Sequence, residues 1–140
     1  MAASAFNIYN NAKRYLVDGT LDLDTDTIVA ALYKSDSNAS TFTLSLLSEV
    51  NGSVAGQAGY PGNKTLTVTI NDTGLSTFVD CADLVFTASA ADLTSVMFLV
   101  IAESGGKLIC WCALSTALFS ITSNNTLTVT INAAGVFSMQ

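Results

Sequence analysis

The spacing of hydrophobic positions along this chain changes once. From residue 4 to residue 17, Phe6, Ile8, Tyr9, Ala12, Tyr15 and Leu16 follow i, i+3, i+4 spacing closely enough to make one apolar stripe, which predicts a helix over residues 4–18. Ser4 suits the N-cap, Gly19 the C-terminal stop, and Lys13 and Arg14 the negative end of the helix dipole. A helix of about three to four turns is marginal alone, so Phe6, Tyr9 and Leu16 need an apolar surface elsewhere.

Beyond Gly19 the period is two. Residues 65–71, TLTVTIN, put Leu66, Val68 and Ile70 on one face and Thr65, Thr67 and Thr69 on the other, and the same heptapeptide returns at 126–132. Such alternation marks a strand with one face on a core and the other on water or a polar neighbour. Either an internal duplication or convergence on two strands of one sheet accounts for the repeat. Further strands are predicted over 27–34, 75–81, 84–88, 95–103 and 107–114. The last two are joined by Ser104, Gly105 and Gly106, a hairpin signal. VMFLVIA and LICWCAL are nearly continuous apolar runs, as expected of strands buried on both faces.

Residues 41–50 read as a strand or, in their second half, a helical turn. Residues 51–63, NGSVAGQAGYPGN, hold the only proline, Pro61, and read as a long loop, a candidate for functional or interface use. The pattern amounts to about seven or eight short antiparallel strands. The predicted class is mainly β: an antiparallel β-sandwich, with a jelly roll as one form of it, carrying one N-terminal α-helix. A single domain spans 1–140, with the helix at 4–18 and the sandwich at 20–140.

Composition shifts attention from chemistry to assembly. Half of the residues are hydrophobic and only 11% are charged, against about a quarter in an average soluble domain. That depletion suits a surface partly covered in an assembly, and also a monomer rich in Ser, Thr and Asn. The net charge is −6 and the five basic residues form no cationic run, so nucleic acid is not an expected partner. The longest clean apolar run, 96–102, is far short of the roughly 20 residues that cross a bilayer. No basic segment leads into an apolar run at the start, so neither a membrane partner nor an export signal is expected.

Histidine is absent, which excludes Ser/His and Cys/His nucleophile systems. Most carboxylates stand beside turn-forming residues, where solvation is the default. No catalytic residue, cofactor or enzymatic activity is expected. Asp22, Asp24 and Asp26 alternate in LDLDTDT and form a weak calcium candidate, since extended carboxylates two apart share a side and calcium takes clustered oxygens. An EF-hand loop starting at Asp22 would need Gly and Glu where Thr27 and Tyr33 stand. The competing reading turns Leu21 and Leu23 inward and leaves the aspartates exposed. Cys81, Cys110 and Cys112 cannot all pair within one chain and fall short of four zinc ligands. They read as buried, reduced thiols, suited to a reducing cytoplasm, with Cys110 and Cys112 on one strand face and Trp111 on the other.

Residues 18–32, DGTLDLDTDTIVAAL, together with GYPGNKTL at 59–66 and LTVTINAAGVFSM at 127–139, resemble a family of small virion proteins of tailed bacteriophages. In that family a helix leads into D-G-x-I/L-D-L-x-T-D-T and a V-A-L-L-type strand, and a G-Y-x-x-G-G-x-x-L element follows. Asn63 stands in place of that element's second Gly, and the apolar 96–114 hairpin also departs from the pattern. The resemblance implies a non-enzymatic structural role. It points first to a capsid decoration or cement protein that binds the outer surface of the major capsid protein lattice and stabilises the mature head. A tail, adaptor, baseplate or fibre-associated module, with carbohydrate binding as one use, is the alternative. The implied partners are the major capsid protein and copies of the chain itself, as a homotrimer at local threefold positions. The implied location is the capsid surface of the virion, after synthesis in the host bacterial cytoplasm. On this reading Phe6, Tyr9 and Tyr15 of the helix and Gly59, Tyr60 and Pro61 of the loop are the contact residues; alternatively, the helix plugs one end of its own sandwich.

Overall fold

The computed structural model describes residues 4–139, and its centre is the long hairpin. Strand β7 (Leu93–Glu103) and strand β8 (Leu108–Ala113) pair antiparallel. They turn at Gly105, whose φ of 68° lies in the left-handed region that glycine enters without a Cβ penalty. Strand β2 (Ile28–Lys34) pairs along the other side of β7, and β3 (Lys64–Leu66) lies beyond it. Strand β1 (Asn7–Ile8) extends the sheet past β8, and β9 (Phe119–Ile121) pairs with the first part of β7. The result is a six-stranded antiparallel sheet ordered β1-β8-β7-β2-β3, with β9 beside β7.

A second layer holds two smaller antiparallel sheets. Strands β4 (Val68–Asp72), β5 (Thr77–Cys81) and β11 (Phe137–Met139) form one, and β6 (Leu84–Thr87) and β10 (Thr126–Val129) the other. The chain is thus mainly β and sandwich-like; the strand order does not establish a jelly roll. The described residues form eleven strands, more than the pattern predicts, because β1, β9 and β11 are two or three residues long and carry too little alternation to register.

Apolar runs on both sides of the main sheet are what period-two geometry demands of a central strand. Ile28, Ala30, Leu32, Leu99 and Ile101 face the second layer, where they meet Val79, Leu84, Phe86 and Phe137. Ala31, Tyr33, Phe98, Val100 and Ala102 face the opposite way. Register shifts disturb the alternation where β7 meets β2, β9 and β8. Ile101 pairs with Cys110 and Ala102 with Leu108, so Ile109 is the extra residue and joins Cys110 in the first core.

The opposite face is covered by the 35–50 segment, which contains a 3-10 turn at Leu47–Glu49, and helix α1 (Asn10–Asp18) reaches both cores, with Ala12 in the second and Tyr15 and Leu16 against the first. Gly19 ends the helix in the left-handed conformation, as its sequence position predicts. The start differs from the expected residue 4. Asn7 and Ile8 pair with Trp111 and Cys110, and Ser4 donates its N–H to the Ala113 carbonyl and accepts the Ala113 N–H at Oγ. Phe6 and Ile8 are two apart, so a strand also puts both on one face, and the open edge of β8 supplies backbone partners that a longer helix would forgo. Tyr9 takes the N-cap position without a side-chain capping bond. Arg14 reaches Asp18 at 3.6 Å in an exposed i, i+4 pair, a contact worth little.

The two heptapeptides occupy different settings, not two strands of one sheet. The first changes layers at Thr67: Leu66 pairs with Ile28 in the main sheet and Val68 with Cys81 in the second layer. The second supplies β10, which pairs with β6 alone.

Candidate interaction surface

Leu21 and Leu23 are buried beneath the aspartates, as an inward–outward alternation requires, but the segment is a turn rather than a strand. The Asp26 N–H donates to the Asp22 carbonyl, Asp26 Oδ2 accepts from the Asp22 N–H at 2.8 Å, and Asp22 Oδ1 accepts from the Asp24 N–H at 2.9 Å. The Asp24 bond is the first cause holding the Asp22 carboxyl below the usual carboxylate range. These oxygens organise their own backbone, the usual work of Asp in a turn. Among the described residues no group of three His, Cys, Asp or Glu side chains converges to hold a metal ion.

The aromatic residues of the N-terminal segment pack inward. Tyr9 has no exposed surface, and its hydroxyl donates to the Ala39 carbonyl at 2.5 Å. Burial pushes its hydroxyl pKa well up. This removes Tyr9 from the expected contact set, because a side chain sealed inside its own fold cannot also meet a partner. Phe6 and Tyr15 are half-buried against the first core. The helix thus packs on its own sandwich, with Ala12 in one core and Tyr15 and Leu16 against the other, while Val17 stays exposed.

The long loop divides in the same way. Gly59 is buried, and a Cβ there would overlap the Ala91 carbonyl oxygen. Tyr60 packs on the core; its hydroxyl accepts from the Leu32 N–H at 3.4 Å and donates to Asn63 Oδ1 at 2.8 Å. Burial pushes its pKa up to about 12. Pro61 is the exposed member. Gln57 also ties the loop down: its amide nitrogen donates to the Thr94 carbonyl at 3.0 Å, and its oxygen accepts from the Thr94 N–H at 2.7 Å.

All three cysteines are buried in the first core as free thiols, with Trp111 on the other face as expected. Burial pushes Cys81 up to about 11 and Cys112 up to about 12, and raises Cys110 as well. A raised folded-state pKa means that the fold favours the neutral thiol. That stability is complete below the unfolded-state value of 9.0 and is lost as pH climbs towards 12. Urea midpoints should therefore fall steadily over that window. A thiol-specific chromogenic reagent at pH 8 should react with the cysteines no faster than the chain unfolds. Rapid labelling of the native protein would contradict their burial.

Trp111 is held edge-on by Phe42 at 5.8 Å and Phe98 at 6.0 Å between ring centroids, so its ring serves packing rather than an open stacking platform.

What remains open is an edge that the residue patterns did not single out. A groove of about 770 Å³ runs between the Ser4–Phe6 segment on one side and β10 with the following turn on the other. Phe6, Cys112, Leu114, Val129 and Val136 give it an apolar floor, and Thr128, Thr130 and Asn132 give it a polar rim. No charged residue lines it. Elsewhere large apolar side chains stand in solvent: Leu75 is 94% exposed and Val17 88%, with Ile70, Leu118 and Met139 about half exposed. The one usable signal was the second heptapeptide lying within a stretch, 121–140, that has neither charge nor proline. Comparison of the chain with protein-family models, curated proteins and solved structures finds no match.

Proposed function

We propose that this chain is a non-enzymatic structural component of a tailed-phage virion, most readily a decoration protein that binds the outer surface of the major capsid protein lattice and stabilises the mature head. One structural observation carries the reading. A surface sparse in charge leaves Val17, Ile70, Leu75, Leu118 and Met139 in solvent, a composition that suits a chain covered by neighbours, since interface cores are depleted of charge. The sequence resemblance supplies the kind of partner. Mass action supplies the mechanism: a protein that binds only the expanded lattice stabilises it without chemistry, and many weak contacts add through effective concentration.

Copy number tests the proposal. Quantitative protein counting on purified virions should find many copies of the chain per particle and none on isolated tails. A few copies confined to tails would move it to the tail or baseplate alternative, and its absence from particles would end the virion reading. Carbohydrate stacking is the weaker form of that alternative, because the only tryptophan is enclosed by Phe42 and Phe98.

A further inference from the structure

We propose that β10 is a self-association edge, through which two copies of this chain join antiparallel across a two-fold axis centred on Thr128. The inference goes beyond the virion reading and does not depend on it.

The backbone directions come first. The Ala88 N–H donates to the Asn125 carbonyl at 2.9 Å, and the Ile131 N–H donates to Asp83 Oδ1 at 2.8 Å. Odd-numbered backbone groups of this segment therefore face β6. The N–H and C=O groups of Thr126, Thr128 and Thr130 face the other way, along the groove, where none of the described strands pairs with them. An edge of this kind is a template for another chain, and proteins normally shield it with charge, proline or a bulge.

The two copies of TLTVTIN differ in what flanks them. The first TLTVTIN lies between Lys64 and Asp72, and its edge is broken where the strand changes sheets at Thr67. The second copy has Asn125 before it and Ala133 after it, in a stretch with no charge and no proline. Both copies lie at a sheet edge, but the first is split between two sheets and flanked by charge, whereas the second pairs in one sheet only, in a stretch without charge.

The open edge is complementary to itself. With Thr128 opposite Thr128 of the second copy, Thr126 meets Thr130 and Leu127 meets Val129. The outward-facing backbone groups then fall opposite one another, giving about six interchain hydrogen bonds. Leu127 and Val129 share the face of their partners Phe86 and Leu84, towards the core. Leu127 is only half-buried because its layer stops at β10. A second copy's Leu127 and Val129 extend that layer over Leu114 and Phe6 and fill the groove. On the outer face threonines pair with threonines, an arrangement this strand already uses where the Thr126 and Thr87 hydroxyls lie 3.0 Å apart. No charged residue lines the groove along this edge, in a chain that carries −6 overall.

Sedimentation equilibrium of the full chain over a range of concentrations tests this. The expected species is twice the 14.6 kDa chain mass. Thr128 is exposed, so Thr128→Lys and Thr128→Asp should fold as the unaltered chain does by circular dichroism. Each variant places like charges opposite each other and should weaken the dimer by about tenfold or more, whereas an equimolar mixture of the two should restore it. A monomer at all concentrations, a trimer, or a dimer indifferent to both substitutions would overturn the proposal. If a variant fails to fold, amide exchange of the unaltered chain decides. Thr126, Thr128 and Thr130 must become protected as concentration rises, and unchanged exchange counts against the edge.

Discussion

Replacing Gly59 with alanine should destabilise the fold by about 3 kcal/mol or more, the upper end of what overpacking costs when neither neighbour can move. The reason is a backbone-to-backbone approach. Gly59 accepts the Ser89 N–H at 3.0 Å and lies so close to Ala91 that an added Cβ would overlap the Ala91 carbonyl oxygen and crowd its carbon. A flexible side chain could swing away; a main-chain carbonyl takes its own backbone with it. Ala91 lies in the bend two residues before β7, and Gln57 is bonded to Thr94 at the start of that strand, so the strain reaches the main sheet. Gly56 provides the comparison. It lies in the same loop, its φ is ordinary, and a methyl group added there would meet no atom within 4 Å. Gly56→Ala should therefore be neutral or slightly stabilising, through a less flexible unfolded chain. Urea unfolding of both variants checks the pair, and equal midpoints would refute the packing argument.

Tyr9→Ala should cost about 3–5 kcal/mol, the range for removing a buried aromatic ring. Tyr9 is fully buried between α1, the 35–50 segment and the main sheet, and it joins all three through both packing and a side-chain hydrogen bond. Tyr9→Phe divides the effect. It keeps the ring, strands the buried Ala39 carbonyl and should cost about 1–2 kcal/mol. Thermal unfolding of the two variants gives both values. Stability unchanged in Tyr9→Ala would return the residue to the set of free contact groups and mean that the helix does not seal this face.

Much of this architecture is local information. The long apolar runs of β7 and β8 pointed to strands covered on both sides, and Ser104 to Gly106 had the chemistry of their turn. Gly19 ended the helix where a left-handed residue was needed. Cys110 and Cys112 faced one way and Trp111 the other because a strand alternates, and the bulge at Ile109 lies before that triplet and leaves it intact. Side-chain direction follows from period, and period is written in neighbouring residues.

Pairing is not written there, and the other features turn on pairing. Phe6 and Ile8 satisfy a helical stripe and a strand equally; the edge of β8 chose the strand by offering backbone partners more than a hundred positions away. The aspartates alternate like a strand, yet they close a turn because Asp22 and Asp26 bond each other's backbone across four residues. Two copies of TLTVTIN differ in their strand partners, one divided between two layers and the other paired only within a two-stranded sheet. The side-chain alternation of the long strands and the class, a β-rich sandwich with one helix, were legible in the residues, although Ile70, patterned with Leu66 and Val68, ends half exposed. Which edges are filled, which aromatic rings are sealed and where the groove lies came from long-range packing. The physical reason is that facing in or out is a property of a few adjacent residues, whereas a strand's neighbour depends on the competition of all distant segments for the same backbone hydrogen bonds.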